Sequence, residues 1–127
     1  MKKIFVVFVV LCALFFGTLL GLWLWIDRDV KKNITIAREI HPGTPEDALI
    51  AYLQDSTISP QSRTKVAVWT LGQIKSQKAL PVLKGLYKDD PEGKTCHHNV
   101  AICQYGLHKA ITAIESDWFL LHQRLNK

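Results

Sequence analysis

The sequence predicts an all-α chain: one N-terminal transmembrane helix followed by a short α-solenoid of about five antiparallel helices. Three observations carry that expectation. An unbroken apolar run extends from Ile4 to Ile26. Apolar residues recur at spacings of three and four from Ala48 onward, with no sustained period-two alternation. The later helices also resemble one another at offsets of 34 and 40 residues. The expected boundaries are 4–26 for the transmembrane helix, 27–43 for a juxtamembrane connector and 44–127 for the helical body.

Within the first segment only Gly17, Thr18 and Gly21 depart from strongly apolar character. A signal-peptide core is ~7–15 residues long and ends at a small-x-small cleavage site. This run is longer, lacks such a site, and closes on Trp23 and Trp25, aromatics that favour the headgroup level. It therefore reads as an uncleaved anchor. Cys12 lies inside the run without the small residue that would precede an acylated cysteine, and reads as an apolar position. Positive charges prefer the cytoplasmic side. Arg28, Lys31, Lys32 and Arg38 on the far flank slightly outnumber Lys2, Lys3 and the amino terminus. The short Met1-Lys2-Lys3 start nevertheless has the form of an N-in signal anchor. The expected placement is a bacterial inner membrane, with the N-terminus cytoplasmic and the body periplasmic.

In the connector, Val30, Ile34 and Ile36 to Ile40 extend a helical pattern that His41-Pro42-Gly43 stops. Asn33-Ile34-Thr35 matches a glycosylation sequon, read here as a chance match so close to a bacterial membrane span. Thr44-Pro45-Glu46-Asp47 combines an N-cap, a first-turn proline and two acids. The helix it opens has Ala48, Leu49, Tyr52 and Leu53 on one face. Ser59-Pro60 repeats the start signal for a helix turning Val66, Ala67, Leu71 and Ile74 inward, with Trp69 at its margin. A third helix carries Ala79, Leu80, Leu83, Leu86 and Tyr87, with Pro81 tolerated in its first turn. After a break over 89–95, a fourth places Val100, Cys103, Leu107, Ala110, Ile111 and Ile114 on its apolar face. Ser116-Asp117 is expected to cap a fifth, bearing Trp118, Leu121 and Leu125.

An offset of 40 pairs Leu71 with Ile111, Ile74 with Ile114 and Leu80 with Leu120. An offset of 34 pairs Leu49 with Leu83, Tyr52 with Leu86 and Leu53 with Tyr87. The stretch Arg63 to Ile74, with its Leu71-Gly72-Gln73-Ile74 ending, followed by Ala79-Leu80-Pro81-Val82-Leu83, resembles the HEAT-like repeat of the phycobilisome-lyase type. The match is weaker over 96–125, where Cys103 stands in place of the arginine. Such repeats imply an α-solenoid and protein binding. The lyases that named the repeat are much longer, so their activity is not carried over. Arrays need ~3 repeats for stability and this chain offers about two and a half, which favours a partner, self-association or a covalent tie.

The formal charge is +5. Setting aside Lys2 and Lys3 leaves fourteen cationic residues against eleven acidic ones, an excess too slight and scattered for nucleic-acid binding. No phosphate loop, nucleophile elbow, zincin motif or dinucleotide fingerprint occurs. No catalysis and no cofactor are expected. The one chemically dense stretch is Cys96-His97-His98 with Cys103 and, further on, His108. Three readings are open. A disulfide between Cys96 and Cys103 is the leading one. On one continuous helix they would lie ~10.5 Å apart, so the bond requires Cys96 in a loop folded back on the helix. A metal site of Cys96, His97, His98 and Cys103 is the second, and the alternative function is a thiol- or metal-dependent site in the 90–108 loop with a redox or metal-handling role. The third keeps both thiols free, with Cys103 as core filler. Exposed candidates for partner contact are Trp69, Tyr87, Trp118, Lys65, Lys75, Lys78 and Lys84.

Overall fold

The computed structural model describes residues 1–88, 96 and 101–116, and all the regular structure among them is helical. The chain divides into two compact units, Met1–Lys32 and Asn33–Lys127.

The first unit is the greater part of helix α1, which runs Lys2–Ile40. With nothing in the sequence to stop it before His41-Pro42-Gly43, the helix passes straight through the polar residues after Ile26. Its apolar stretch spans about 34 Å at 1.5 Å per residue, enough to cross a hydrocarbon core. The side chains of this stretch are largely exposed: Phe5, Phe16 and Trp23 are all about two-thirds exposed. The Thr18 hydroxyl donates to the Phe15 carbonyl at 2.8 Å, so the helix satisfies this polar group internally. Charge returns at Asp27, which pairs with Lys31 at 2.7 Å.

The second unit begins with the last turns of α1. Ala37 is fully buried there, and Ile34 and Ile36 pack against the same core. Helix α2, Pro45–Gln54, starts as the cap residues dictate: the Thr44 hydroxyl accepts the Asp47 N–H at 3.2 Å, and Pro45 occupies the first turn. It buries Ala48, Leu49, Tyr52 and Leu53, the four residues its spacing selects.

The next helix departs from expectation. Helix α3 (Pro60–Ser62) runs into a π-helical segment, Arg63–Val68, and then into α4 (Trp69–Gln73) without a break. The wider turn is set by the Trp69 N–H bonding the Thr64 carbonyl five residues back. One extra residue per turn rotates the inward face. Ala67 and Leu71 are buried as predicted, but Val66 and Ile74 are only half-buried, while Thr64, Val68, Thr70 and Gly72 join the interior. The helix ends with Lys75 at φ 52°. The Ser76 N–H reaches the Leu71 carbonyl at 3.1 Å and the Lys75 N–H the Gly72 carbonyl at 3.3 Å, the paired bonds of a Schellman stop.

Ser76 then caps a 3-10 turn, Gln77–Ala79, that leads into α5, Leu80–Leu86. Its Ala79 and Leu83 are buried. Helix α6, Gln104–Glu115, buries Leu107, Ala110, Ile111 and Ile114. Cys103 does not lie on the helix face where periodicity put it; it is the N-cap. Ser116, expected to open a fifth helix, is the C-cap of α6. The remainder of that helix, with Trp118, Leu121 and Leu125, and Val100 of the fourth lie outside the described residues.

The core joins α2, α4, α5 and α6 around Leu49, Leu53, Val68, Leu71, Leu83 and Leu107. One close approach within it is at Gly72. A Cβ there would stand 3.0 Å from the Ala110 Cα and 3.1 Å from its Cβ, so the glycine of Leu71-Gly72-Gln73-Ile74 is what lets α4 and α6 touch.

Candidate functional site

The sulfurs of Cys96 and Cys103 lie at disulfide distance, with the Cα atoms 4.8 Å apart. Cys96 is outside any helix and half-buried, while Cys103 is 4% exposed. The bond therefore has the loop-to-helix form that the span between i and i+7 requires. Cys103 Sγ accepts the Gly106 N–H at 3.3 Å, taking the part a serine or threonine oxygen plays in an ordinary cap.

Residues on the π segment hold this cap in place. The Thr64 hydroxyl accepts the Cys103 N–H at 3.2 Å and donates to the Pro60 carbonyl at 2.8 Å. Its methyl would lie 3.2 Å from a Cβ at Gly106, so the first turn of α6 rests directly on Thr64. Further along, Asn33 donates its side-chain amide to the Thr70 hydroxyl at 2.9 Å and reaches the Lys65 carbonyl at 3.4 Å. The amide nitrogen of the sequon is thus committed to the fold. Thr64 does not stand out in the sequence, and Asn33 does so only as part of a sequon, since a single buried hydroxyl or amide leaves no periodic signal.

Two glutamines dock the ends of α6. Gln104 donates to the Leu86 carbonyl at 3.2 Å and accepts the Lys88 N–H at 2.7 Å. Gln77 donates to the Ile114 carbonyl at 3.1 Å. His108 meets Tyr87: its Nδ1 is 3.4 Å from the Tyr87 hydroxyl, with the rings 5.8 Å apart. His97 and His98 lie outside the described residues. Among the described residues no three His, Cys, Asp or Glu side chains gather at metal-binding distance.

The candidates for partner contact divide. Lys65 is exposed and Trp69, one turn on, is half-buried. Tyr87 is half-buried against His108. Lys75 forms the helix stop. Lys78 pairs with Asp47 at 2.5 Å, and Lys84 pairs with Glu115. The Lys78 ammonium, followed by the Thr44 hydroxyl, holds the Asp47 carboxyl below its ordinary value, and the same pairing raises Lys78. Trp118 lies outside the described residues.

His41, the first residue of the expected helix stop, stands with Nε2 3.0 Å from Asp55 Oδ2. Asp55 also accepts the Thr57 N–H at 2.9 Å and the Thr57 hydroxyl at 2.6 Å. Those Thr57 bonds first, and His41 after them, hold the Asp55 carboxyl below its ordinary value. Burial, with the Asp55 charge beside it, pushes Tyr52 up. A shallow groove lies beside this junction, lined by Thr35, Arg38, Glu39, Pro42 and Gly43. Its two opposite charges favour no ligand class.

No family model matches the chain, and no curated protein or solved structure matches it either.

Proposed function

We propose that the chain is a single-pass, membrane-anchored helical module that acts by binding a protein partner or a second copy of itself rather than by catalysis. The observation that carries this reading is α1 itself. An apolar stretch whose large side chains are exposed is continuous, within one helix, with turns that contribute Ala37 to a folded core. Such a surface is stable only in lipid or against another apolar surface. The length of the run and its closing tryptophans support an uncleaved anchor over a signal sequence, and the Cys96–Cys103 pair supports an oxidising compartment for the body. In this reading the placement is the bacterial inner membrane with the N-terminus cytoplasmic.

The HEAT-like repeat and its solenoid arrangement belong to the same proposal. Their support is Gly72, which the resemblance carries and which lies close against Ala110 of α6. Lys65 and Trp69 are the favoured contact residues, because Lys78 and Lys84 are engaged by Asp47 and Glu115.

A photo-crosslinking residue placed at 65 or 69 in intact membranes should give one discrete adduct, and at Lys109 none. Two differently tagged copies of the chain in the same cells separate self-association from a foreign partner. Adducts of equal yield at all three positions, or at none, would count against a binding role for this face.

A further inference from the structure

The two sulfurs of the pair stand in unequal surroundings. Cys103 is buried, caps a helix of 12 residues and receives the Gly106 N–H on its sulfur. Cys96 lies outside any helix and retains part of its surface. Thiol–disulfide exchange starts with a thiolate attacking one of the two sulfurs. Access and the acidity of the departing thiol choose which one. A thiol at a helix N-terminus is more acidic than a free one, because the N–H groups and the macrodipole stabilise its thiolate. Access selects Cys96 for attack, and acidity selects Cys103 to leave. The two criteria agree.

We propose that Cys96–Cys103 is a directional thiol–disulfide exchange site whose substrate is an external thiolate, which bonds to Cys96 and expels Cys103. In the first step the new sulfur–sulfur bond forms at Cys96 Sγ. The old bond breaks, and its electron pair stays on Cys103 Sγ as a thiolate against the Gly106 N–H. In the second, another thiolate of the same class attacks the external sulfur of the mixed disulfide and releases Cys96 as a thiolate. The protein pair is reduced by two electrons and two external thiols become one disulfide. This chemistry goes beyond the binding role proposed above and does not depend on it. A small thiol and a protein cysteine share it.

The test uses the full chain in native membranes, with Cys12→Ser in every version to silence the remaining thiol. Reduced glutathione is added without denaturant, exchange is stopped with acid, free thiols are alkylated, and the Cys96 and Cys103 peptides are weighed. Glutathione should sit on Cys96, with the alkyl group on Cys103, in about tenfold or greater excess over the reverse adduct. A reverse excess, equal adducts, or no adduct until denaturant is added overturns the proposal. For the source of the thiol, a Cys103→Ser chain keeps only Cys96. A discrete disulfide-linked product from that chain in cells assigns a protein thiol, and its absence beside the glutathione result assigns a small one. A product from Cys96→Ser instead would overturn the direction.

Discussion

Gly72 and Gly85 both sit in helices, but of the two Gly72 alone faces a neighbour: among the described residues nothing lies within 4 Å of a Cβ at Gly85. Alanine should therefore have opposite effects at the two positions. Gly72→Ala must push α4 off Ala110 and should cost about 1–3 kcal/mol in urea unfolding. Gly85→Ala should be neutral or stabilise by up to about 1 kcal/mol, the usual helix-interior difference. Equal effects would remove the close approach as the reason for Gly72. Lys75 at φ 52° is the converse case, a side chain held where glycine is at ease. Lys75→Gly should raise stability by roughly 1 kcal/mol, whereas Lys75→Val should lower it, read as opposite shifts in Tm. Asp55 governs an acid limb. Its folded pKa lies below its ordinary 3.8, through Thr57 and then His41. The stabilisation is thus present above 3.8 and is lost as pH falls through the depressed folded value. Stability should drop more steeply below about pH 3.8 in the parent chain than in Asp55→Asn, and superimposable acid limbs would rule this pair out. Almost none of these residue-scale effects was legible beforehand. The sequence marks Gly72 as part of a motif but does not name Ala110 as what it meets, and His41 with Asp55 has no pattern at all.

Helix α6 shows what elements require beyond their own periodicity. Its apolar residues Leu107, Ala110, Ile111 and Ile114 were legible from spacing because a helix repeats every 3.6 residues. Its start was not, since Cys103 fits the apolar pattern equally well as a face residue or as a cap. What decides between them is the bond to Cys96 and the Thr64 hydroxyl that accepts the Cys103 N–H. Thr64→Val keeps the shape but strands that N–H in a buried setting, and should cost about 1–3 kcal/mol. Removing the disulfide with Cys96→Ser should cost about 2–3 kcal/mol for so short a loop. Because Thr64 and the disulfide bear on the same cap, the double change should cost measurably more or less than the sum of the single ones. Strict additivity in denaturant titrations would show that the two act separately. The π segment is a similar case. Arg63–Val68 reads as an ordinary helix in sequence, and its apolar spacing carries no sign of the wider turn.

At the scale of the whole chain, the question is whether α1 persists in the mature protein. A surface as apolar as Ile4 to Ile26, with no cleavage site behind it, should remain attached and resist alkaline carbonate extraction. Intact mass measurement on protein purified from membranes should therefore retain the N-terminal segment. A mature chain beginning after Ile26 would convert the anchor into a signal sequence and with it remove the membrane-bound reading.

By itself the sequence determined the helical class, the apolar span, the caps at Thr44 and Ser59 and the buried face of α2. Each is written locally, in a run, a spacing or a cap that neighbouring residues complete. The tertiary structure decided the rest: the rotated face of the π segment, the cap at Cys103, the Asn33 amide on Thr70 and the contact of Gly72 with Ala110. The last three pair residues ~37 to 39 positions apart, as Thr64 with Cys103, Asn33 with Thr70 and Gly72 with Ala110. Such contacts arise only when helices pack, and side-chain periodicity within a single helix has no means of encoding its partner.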